Sequence, residues 1–379
     1  MSSPTAAPPP QNPSSSPRPA HPRRAQLVGV ALGPQPVYEV EEHLDELAEL
    51  AATAGAQVVG RTIQRRPSPD SATFIGGGKV EEIARETAAR RIDLVVFDDD
   101  LSGGQLKVLE QKLGVPVLDR SSLILDIFEH RARSREARTQ VELAKLQYEL
   151  PRLTRRWGHL SRQAGGIGVR GGEGETQLEA DRRVLRQKIA RLERDLENIE
   201  RTRRTQRERR TSAPTVALAG YTNAGKSTLF NALTHADALA ENRLFATLDT
   251  KMRRAELAPA QWAVVADTVG FIRKLPHHLV ASFRSTLEET AYADVVVHVV
   301  DRSHPAWEDQ QATAAQVLDD LGVARDRILT VWNKVDRLAV GERLTGATLS
   351  LSALTGEGLP ALRAELLRRL STANQRAAG

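Results

Sequence analysis

One stretch of the chain has the residue types and spacing of a phosphate-binding loop. Residues 220–227 (GYTNAGKS) fit the pattern G-x-x-x-x-G-K-[ST] without a gap. An apolar run, 216–219, precedes the stretch and a helical pattern follows, which is the context the motif requires. Glycines let backbone N–H groups surround phosphates, and the helix start adds a favourable dipole. We expect Lys226 to reach the β- and γ-phosphates and Ser227 to bind Mg²⁺; the alternative is a chance match in a glycine-rich turn.

Three shorter motifs follow in the order in which P-loop proteins place them. Residues 267–270 (DTVG) come after an apolar run, where an acid faces Mg²⁺ and a glycine amide faces the γ-phosphate. Residues 333–336 (NKVD) end a later predicted strand, and a carboxylate there can accept two hydrogen bonds from guanine but not from adenine. Residues 352–354 (SAL) end the next strand, where a backbone amide can meet O6 of guanine. Together the four motifs predict a GTPase.

Two positions near DTVG bear on the reaction itself. In residues 245–249 (FATLD), Thr247 is the candidate for the mobile-loop threonine that completes Mg²⁺ coordination, with Thr250 and Thr222 as nearby alternatives. Phe271 follows Gly270, where many GTPases carry the glutamine that orients the attacking water. Because no carboxamide stands there, we expect intrinsic hydrolysis to be slow and to depend on a partner.

Two other clusters resemble functional sites more weakly. Residues 76–79 (GGGK) look like a phosphate loop, but Thr73 occupies the place of its first glycine and Val80 follows the lysine. A glycine turn before a helix is the simpler interpretation, and a second nucleotide site is the alternative. His277 and His278 have no third ligand at metal spacing, so we interpret them as surface residues rather than a metal site.

Alternating strand and helix patterns place these motifs in an α/β fold. Before the P-loop, the patterns predict strands over 26–32, 56–63, 93–97 and 115–118, and helices over 40–54, 80–90 and 105–113. Two long helices are predicted over 121–150 and 177–210. From Pro214 onwards, strands over 216–219, 263–267, 295–301, 328–333 and 348–352 predict a doubly wound, mostly parallel sheet, closed by a helix over 359–370.

The second long helix carries a narrow apolar seam. Its members recur at steps of four and three residues, with Leu178 one heptad earlier: Leu185, Ile189, Leu192, Leu196 and Ile199. A glycine-dense segment, 165–174, joins the two helices, so we expect a coiled hairpin with a flexible, accessible tip.

Positive charge is concentrated in this hairpin. Residues 131–210 hold 22 Lys and Arg against 12 Asp and Glu, a net of +10, whereas the whole chain is +5. Such an arm could bind a polyanion, with arginines on its phosphates. The alternative is a solvated coiled coil whose charges serve only solubility.

Composition excludes several classes of protein. Hydrophobic residues make up 40% and charged residues 27%, which suits ordinary soluble cores. The absence of cysteine excludes disulfides, thiolate zinc sites and cysteine nucleophiles. The longest strongly apolar run, 295–300, is far shorter than the roughly 20 residues of a membrane span. We expect a monomeric cytoplasmic protein without an integral membrane span, with peripheral membrane association left open.

The motifs as a set resemble the HflX family of ribosome-binding GTPases. The resemblance rests on GYTNAGKST at 220–228, FATLD at 245–249, DTVGFIRKLP at 267–276 and NKVD at 333–336. It extends through IGGGKVEEI at 75–83, the run 119–153 and GGEGETQLEADRR at 171–183, and covers roughly residues 25–370. It departs from the expected pattern at Thr250, where a proline is expected after the aspartate.

The resemblance implies GTP hydrolysis that the large ribosomal subunit stimulates, and the splitting of stalled or stress-arrested ribosomes. It implies Mg²⁺ on Ser227 and Thr247 as the cofactor, and Lys226, Thr247 and Gly270 as catalytic residues. The GTP or GDP contacts that it implies are Gly220, Tyr221, Thr222, Asn223, Ala224, Gly225, Lys226, Ser227, Phe245, Ala246, Thr247, Leu248, Asp249, Asp267, Thr268, Val269, Gly270, Asn333, Lys334, Val335, Asp336, Ser352, Ala353 and Leu354.

The predicted organisation has five parts. They are a disordered Pro/Ser-rich tail (1–24), a small α/β domain (25–120), a basic helical hairpin with a glycine-rich loop (121–212), a P-loop GTPase domain (213–372) and a short tail (373–379). Two other functions stay open at this point. One is a GTP-dependent regulatory switch that acts on a non-ribosomal protein, and the other is an RNA-remodelling ATPase that uses the N-terminal domain.

Overall fold

The N-terminal part of the chain is a four-stranded sheet with helices on both faces. We describe it from a computed structural model, which covers residues 22–156, 173–209, 213–235, 244–274, 289–339 and 349–378. The elements are β1 (Arg23–Leu32), α1 (Val37–Thr53), β2 (Ala56–Arg66), α2 (Gly77–Arg90), β3 (Leu94–Phe97), α3 (Gly103–Leu113) and β4 (Val117–Asp119). All pairings are parallel, in the order β2-β1-β3-β4, so the predicted alternation of strands and helices is confirmed.

The sequence predicted one long helix over 121–150, and this prediction is wrong. The chain forms α4 (Arg120–Arg131) and then α5 (Arg135–Arg156), with a break at residues 132–134. At the break Ala132 takes an extended conformation, with φ −64° and ψ 110°. Ser134 begins α5, because its hydroxyl accepts a hydrogen bond from the Ala137 N–H at 3.0 Å.

The second long helix, α6 (Glu173–Arg209), packs along α5 through the predicted seam. Leu192 and Leu196 of α6 form a buried cluster with Leu143 and Leu146 of α5. Leu185, Ile189 and Ile199 pack against this cluster, which confirms the seam from Leu185 to Ile199. The glycine-dense segment, 165–174, and the side chain of Leu178 lie largely or wholly outside the described residues, as do His277 and His278.

A six-stranded sheet forms the C-terminal part of the chain. Its elements are β5 (Thr215–Gly220), α7 (Lys226–Thr234), β6 (Lys251–Ala258), β7 (Gln261–Asp267), β8 (Val295–Asp301), α8 (Trp307–Asp320), β9 (Ile328–Asn333), β10 (Leu349–Ser350) and α9 (Leu359–Ala378). The strand order is β10-β9-β8-β5-β7-β6, and every pairing is parallel except that of β6 with β7. This is the predicted doubly wound sheet, and β6 is an addition that the sequence patterns did not indicate. The helix α9 continues to Ala378, into the stretch that the sequence analysis set aside as a tail.

One hydrophobic core is shared between the two sheets' domains. It contains residues of β1, α1, α4 and α5, such as Leu27, Leu44 and Phe128. The same core also contains Tyr221, Leu244, Phe245, Leu248, Val269 and Ile272 from the C-terminal domain. The N-terminal domain therefore packs directly against the loops that follow β5 and β7.

Candidate active site

A cavity of about 280 Å³ opens at the carboxyl ends of β5, β9 and β10. Ligands of open α/β sheets bind at this edge, where the loops after the strands converge. The cavity is lined by Thr222, Asn223, Gly225, Lys226, Ser227, Thr228, Phe245, Ala246, Thr247, Thr268, Gly270, Asn333, Lys334, Asp336, Arg337, Ala353 and Leu354. Residues from all four predicted motifs thus meet in one cleft.

Two glycines allow the loop between β5 and α7 to take its shape. Gly220 has φ +145°, and a Cβ there would lie 2.3 Å from the carbonyl oxygen of Val299. Gly225 has φ +93°, and a Cβ there would lie 2.2 Å from Nδ2 of Asn333. Both positions require a backbone conformation and a closeness of approach that only glycine tolerates. The spacing of the two glycines in the sequence therefore reports a structural requirement of the loop.

Lys226 starts α7 and is buried against the loop that precedes it. Its Nζ donates hydrogen bonds to the carbonyl oxygens of Gly220 at 3.0 Å and Tyr221 at 2.7 Å. Burial lowers the pKa of Lys226 to about 8, although Asp267 nearby opposes this effect. An anionic phosphate in the cleft would favour the charged ammonium, so this lysine is placed for a polyanion.

Three oxygen-bearing side chains converge beside α7. The Ser227 hydroxyl donates to Oδ2 of Asp267 at 2.7 Å, and the Thr247 hydroxyl donates to the same oxygen at 2.8 Å. The two hydroxyl oxygens lie 3.0 Å apart. Burial raises the pKa of Asp267, while the Ser227 hydroxyl opposes the rise. Oδ1 of Asp267 is buried and has no hydrogen-bond partner among the described residues. Hard oxygen donors around an unsatisfied carboxylate suit Mg²⁺.

Gly270 lies against both the P-loop and its lysine. A Cβ at this position would be 2.8 Å from Cα of Thr222 and 3.0 Å from Nζ of Lys226. The next residue, Phe271, is buried in the core between the sheet and α8. Its backbone N–H donates to the Gly220 carbonyl at 3.0 Å, and its carbonyl accepts from the Thr222 N–H at 2.7 Å. The side chain after Gly270 therefore packs in the core and carries no group that could hold a water.

The other end of the cleft is organised by Asn333. Its Nδ2 donates to the Ala224 carbonyl at 2.8 Å, and its Oδ1 accepts from the Ala353 N–H at 3.0 Å. This one side chain joins the P-loop to the loop after β10. Lys334 follows with φ 63°, and its Nζ forms an ion pair with Asp301 at 2.7 Å. The sequence analysis did not select Asp301. The feature that could have indicated it is its position at the end of the apolar strand β8.

Comparison with known proteins gives the family. Residues 41–129 match the family described as GTP-binding GTPase N-terminal, 131–210 the GTP-binding GTPase middle region, and 215–334 the 50S ribosome-binding GTPase. The GTPase HflX of Magnetococcus marinus is 50% identical over 337 residues, which cover 87% of this chain and 78% of that protein. The GTPase HflX of Escherichia coli is 44% identical, with 87% and 79% covered. The chain belongs to the HflX family of GTPases. A solved GTP-binding protein of Sulfolobus solfataricus in complex with GDP is also similar, at 24% identity and a TM-score of 0.48, with 92% of this chain and 99% of that one covered.

Membership of the HflX family confirms the predicted α/β fold with a P-loop GTPase domain, and it confirms that the protein is a GTP-hydrolysing enzyme. Among the described residues, no helix is long and apolar enough to cross a membrane. The part of the chain that the structure covers also has no group of three or more His, Cys, Asp or Glu that could hold a metal ion.

Several residues implied as nucleotide contacts lie behind the lining of the cleft. These are Gly220, Tyr221, Ala224, Leu248, Asp249, Asp267, Val269, Val335 and Ser352. Their direct contact with a nucleotide stays a prediction. Thr228 and Arg337 line the cleft although sequence reasoning did not select them. Each is adjacent to a motif, so reading one residue beyond GYTNAGKS and NKVD would have found both.

Tyr221 of the P-loop faces the N-terminal domain instead of the cleft. Its hydroxyl donates to the carboxylate of Glu46 in α1 and accepts from the Arg273 N–H at 2.8 Å. Burial raises the pKa of Tyr221 to about 12, so the hydroxyl remains protonated. Glu46 also accepts from the guanidinium of Arg120, which in turn donates to Asp98 at 2.6 Å. Lys274 pairs with the other oxygen of Asp98 at 2.6 Å.

His43 in α1 lies inside this charged cluster. Its Nδ1 is buried, has no hydrogen-bond partner in the part of the chain that the structure describes, and lies 3.7 Å from Oδ2 of Asp98. Burial, reinforced by the positive charges of Lys274, Arg273 and Arg120, lowers the pKa of His43 to about 4. The imidazole is therefore neutral near pH 7. None of these contacts could be read from the sequence, because the partners are up to 176 positions apart.

The GGGK turn contains no comparable arrangement in its described contacts. Lys79 forms an ion pair with Glu82 at 2.7 Å within α2. The Gly76 N–H donates to Oε1 of Gln64 at 2.8 Å, and the Thr73 hydroxyl donates to the Ile75 carbonyl at 2.6 Å. These bonds fit the interpretation of a glycine turn that begins a helix.

Proposed function

We propose that this GTPase binds the large ribosomal subunit, that the subunit stimulates its GTP hydrolysis, and that the nucleotide cycle splits stalled or stress-arrested ribosomes. The activity would belong in the cytoplasm, where a monomer would act on ribosomes. The observation that carries the proposal is the row of exposed arginines along α6, on an arm that is joined to the GTPase domain.

The row is formed by Arg183, Arg194 and Arg201, all of which are exposed. Steps of 11 and 7 residues correspond to about three and two helical turns, so the three side chains share one face of α6. Leu192 and Leu196 of the seam lie on the opposite face and are buried against α5. An arm with arginines facing outward and leucines facing its partner helix presents a row of three cations to a polyanion such as rRNA.

The nucleotide chemistry follows from the residues of the cleft. P-loop N–H groups and Lys226 would hold the phosphates, and Ser227 and Thr247 would hold Mg²⁺, which would neutralise charge on the β- and γ-oxygens when bound. The unsatisfied Oδ1 of Asp267 supports that assignment. Asp336 would accept two hydrogen bonds from guanine, while Asn333 fixes the loops around the base.

Turnover without a partner would be slow. Phe271 is buried in the core and the described residues place no carboxamide after Gly270, so an ordering partner is needed to position water or switch residues. The ribosome would be the partner that positions the water or the switch residues. The lack of a local water-orienting group and the cationic arm are two separate observations that support the same proposal.

The test is GTP hydrolysis with purified large subunits titrated in at two salt concentrations, with ATP in parallel. We expect strong stimulation with GTP that weakens as salt rises, because phosphate contacts are lost to counterions. Absence of stimulation would refute the proposal and favour a non-ribosomal protein partner. Stimulated hydrolysis of ATP alone would favour the RNA-remodelling ATPase.

A charge variant tests the role of the exposed arginines along α6. Replacing Arg183, Arg194 and Arg201 by alanine should weaken binding to the subunit and reduce the slope of log K against log salt by about 2–3, at roughly 0.7–0.9 per phosphate contact. The matched control replaces Arg85, Arg253 and Arg325, which are exposed outside the hairpin and give the same change in net charge. Equal effects of the two triple variants would contradict a specific role of the arm.

A further inference from the structure

The segment that carries Thr247 is docked onto the corner between α4 and α5. Phe245 packs edge-to-face against Phe128 of α4, with ring centroids 4.6 Å apart and an interplanar angle of 86°. Leu248 is buried in the same core, together with Ala137 and other residues of α5. Thr247, between these anchors, directs its hydroxyl to Asp267 in the cleft. The two sides of one short segment thus contact the catalytic centre and the N-terminal domain.

Asp249 forms the polar part of this contact. Its Oδ2 accepts from the backbone N–H of Arg133 at 3.1 Å and of Ser134 at 3.3 Å. Its Oδ1 accepts from the hydroxyl of Ser134, and that hydroxyl accepts from the Ala137 N–H at 3.0 Å. Asp249 therefore completes the N-terminal cap of α5 from 115 to 116 positions away in the chain. A carboxylate at a helix N-terminus is stabilised by the unpaired amides and the helix dipole.

We propose that Asp249 is a positioning residue, which fixes Thr247 in the cleft and transmits displacement of the α5–α6 hairpin to the catalytic centre. The part concerning the hairpin rests on the proposed ribosomal function. Two residues of extended chain span at most about 7 Å, so a displacement of Asp249 with α5 that exceeds the slack in this short segment also moves Thr247. The helix α5 is continuous from this cap to the part that packs on α6 through Leu143 and Leu146.

A purely structural cap would behave differently from a positioning residue. Loss of a structural cap lowers the stability of α5 and leaves turnover per folded molecule unchanged. Loss of the positioning contact lets Thr247 leave Asp267, which lowers kcat more than it weakens GDP binding. The reason is that the mobile-loop threonine completes Mg²⁺ coordination only when the γ-phosphate is present.

The experiment compares Asp249→Ala and Asp249→Asn with Ser102→Ala. Ser102 caps α3 of the N-terminal domain, where its hydroxyl accepts from the Gln105 N–H at 3.3 Å. We measure kcat without ribosomes, affinity for GDP, stimulation by large subunits, and hydrogen exchange of residues 133–140 with a GTP analogue. We expect kcat of Asp249→Ala to fall about tenfold, with GDP affinity changed less than twofold. The Asn variant, which keeps one acceptor and the shape, should recover part of the loss.

Wild-type protein should show protection of residues 133–140 with the GTP analogue, and Asp249→Ala should lose it. In Asp249→Ala, stimulation by large subunits should fall together with the basal kcat. In Ser102→Ala, kcat and stimulation should both stay within twofold of wild type. If Asp249→Ala turns over and is stimulated like wild type, the inference is wrong while the proposed function stands. If wild type itself is not stimulated, the proposed function fails, and the basal kcat of the Asp249 variants still decides the positioning role. If Asp249→Ala does not fold, Asp249→Asn decides by the same measurements.

Discussion

Replacing Arg120 by methionine is expected to destabilise the N-terminal domain by about 3 kcal/mol. Arg120 is only 2% exposed, and its guanidinium donates to both Glu46 and Asp98. Methionine fills a similar volume but removes the cation that pairs with Glu46 and one of the two cations that pair with Asp98. Removing one partner of a buried ion pair costs about 3–5 kcal/mol. The lower end applies here because Lys274 still lies 2.6 Å from Asp98.

Differential scanning calorimetry of the full chain measures this effect. For a domain of about 150–250 residues, 1 kcal/mol shifts Tm by about 2–4 °C, so the expected decrease is about 6–12 °C. The matched control is Arg61→Met, the same substitution in an ion pair with Asp45 whose side chains are 43% and 69% exposed. Exposed pairs contribute about 0–1 kcal/mol, so that variant should melt within about 4 °C of wild type. Equal shifts in the two variants would refute the reasoning that burial makes the Arg120 cluster a strong stabilising contact.

Three further outcomes can be measured on the same protein. Lys226→Ala should weaken GTP binding by about 100-fold or abolish turnover, because charge-assisted bonds to phosphate are lost; a fluorescent GTP analogue reports this, and wild-type affinity would contradict it. Asp336→Asn should weaken GTP and strengthen xanthosine triphosphate binding by roughly 100-fold each, as competition assays would show; unchanged preference would contradict the guanine assignment. Because the folded pKa of His43 is about 4 against 6.5 ordinarily, the folded state binds fewer protons between these values, so stability should fall by about 2–3 kcal/mol as pH drops from 6.5 to 4. His43→Gln should flatten this acid limb in denaturant titrations; an equally steep limb would exclude His43 as its source.

The sequence predicted the strands best where each is an apolar run bounded by turns. Strands β8 and β9 were predicted to the residue, because every residue of β8 is buried and β9 alternates. Strand β6 escaped prediction because it lies at the sheet edge, and only Ala255 and Leu257 in it are buried. Its remaining residues are mostly exposed and charged, so neither an apolar run nor a clear alternation marks it.

The break between α4 and α5 escaped prediction for a different reason. Residues 132–134 contain no glycine or proline, and their side chains are compatible with a continuous helix. At the break Asp249 accepts hydrogen bonds from the amides of Arg133 and Ser134, and it comes from a distant loop. Local propensity contains no information about such a partner. The same holds for Tyr221, whose hydroxyl is engaged by Glu46 from another domain.

The candidate site was predictable to the extent that glycine geometry and motif order fix it. Gly220, Gly225 and Gly270 each lie where a side chain would collide with neighbouring atoms, so their spacing could be read directly. Asp301 was not predictable, since an acid at a strand end has many uses. Its role became visible only through the ion pair with Lys334.

The hydrophobic core that Tyr221, Phe245 and Val269 share with α1 and α4 has a consequence for recombination. If this GTPase domain were grafted onto the N-terminal domain of another family member, its side of the shared core would face side chains that do not match it. The graft would need its aromatic pair, Phe128 with Phe245, and its Glu46–Tyr221 bond carried over together. Substitutions on one side of this shared core therefore constrain which substitutions the other side can accept.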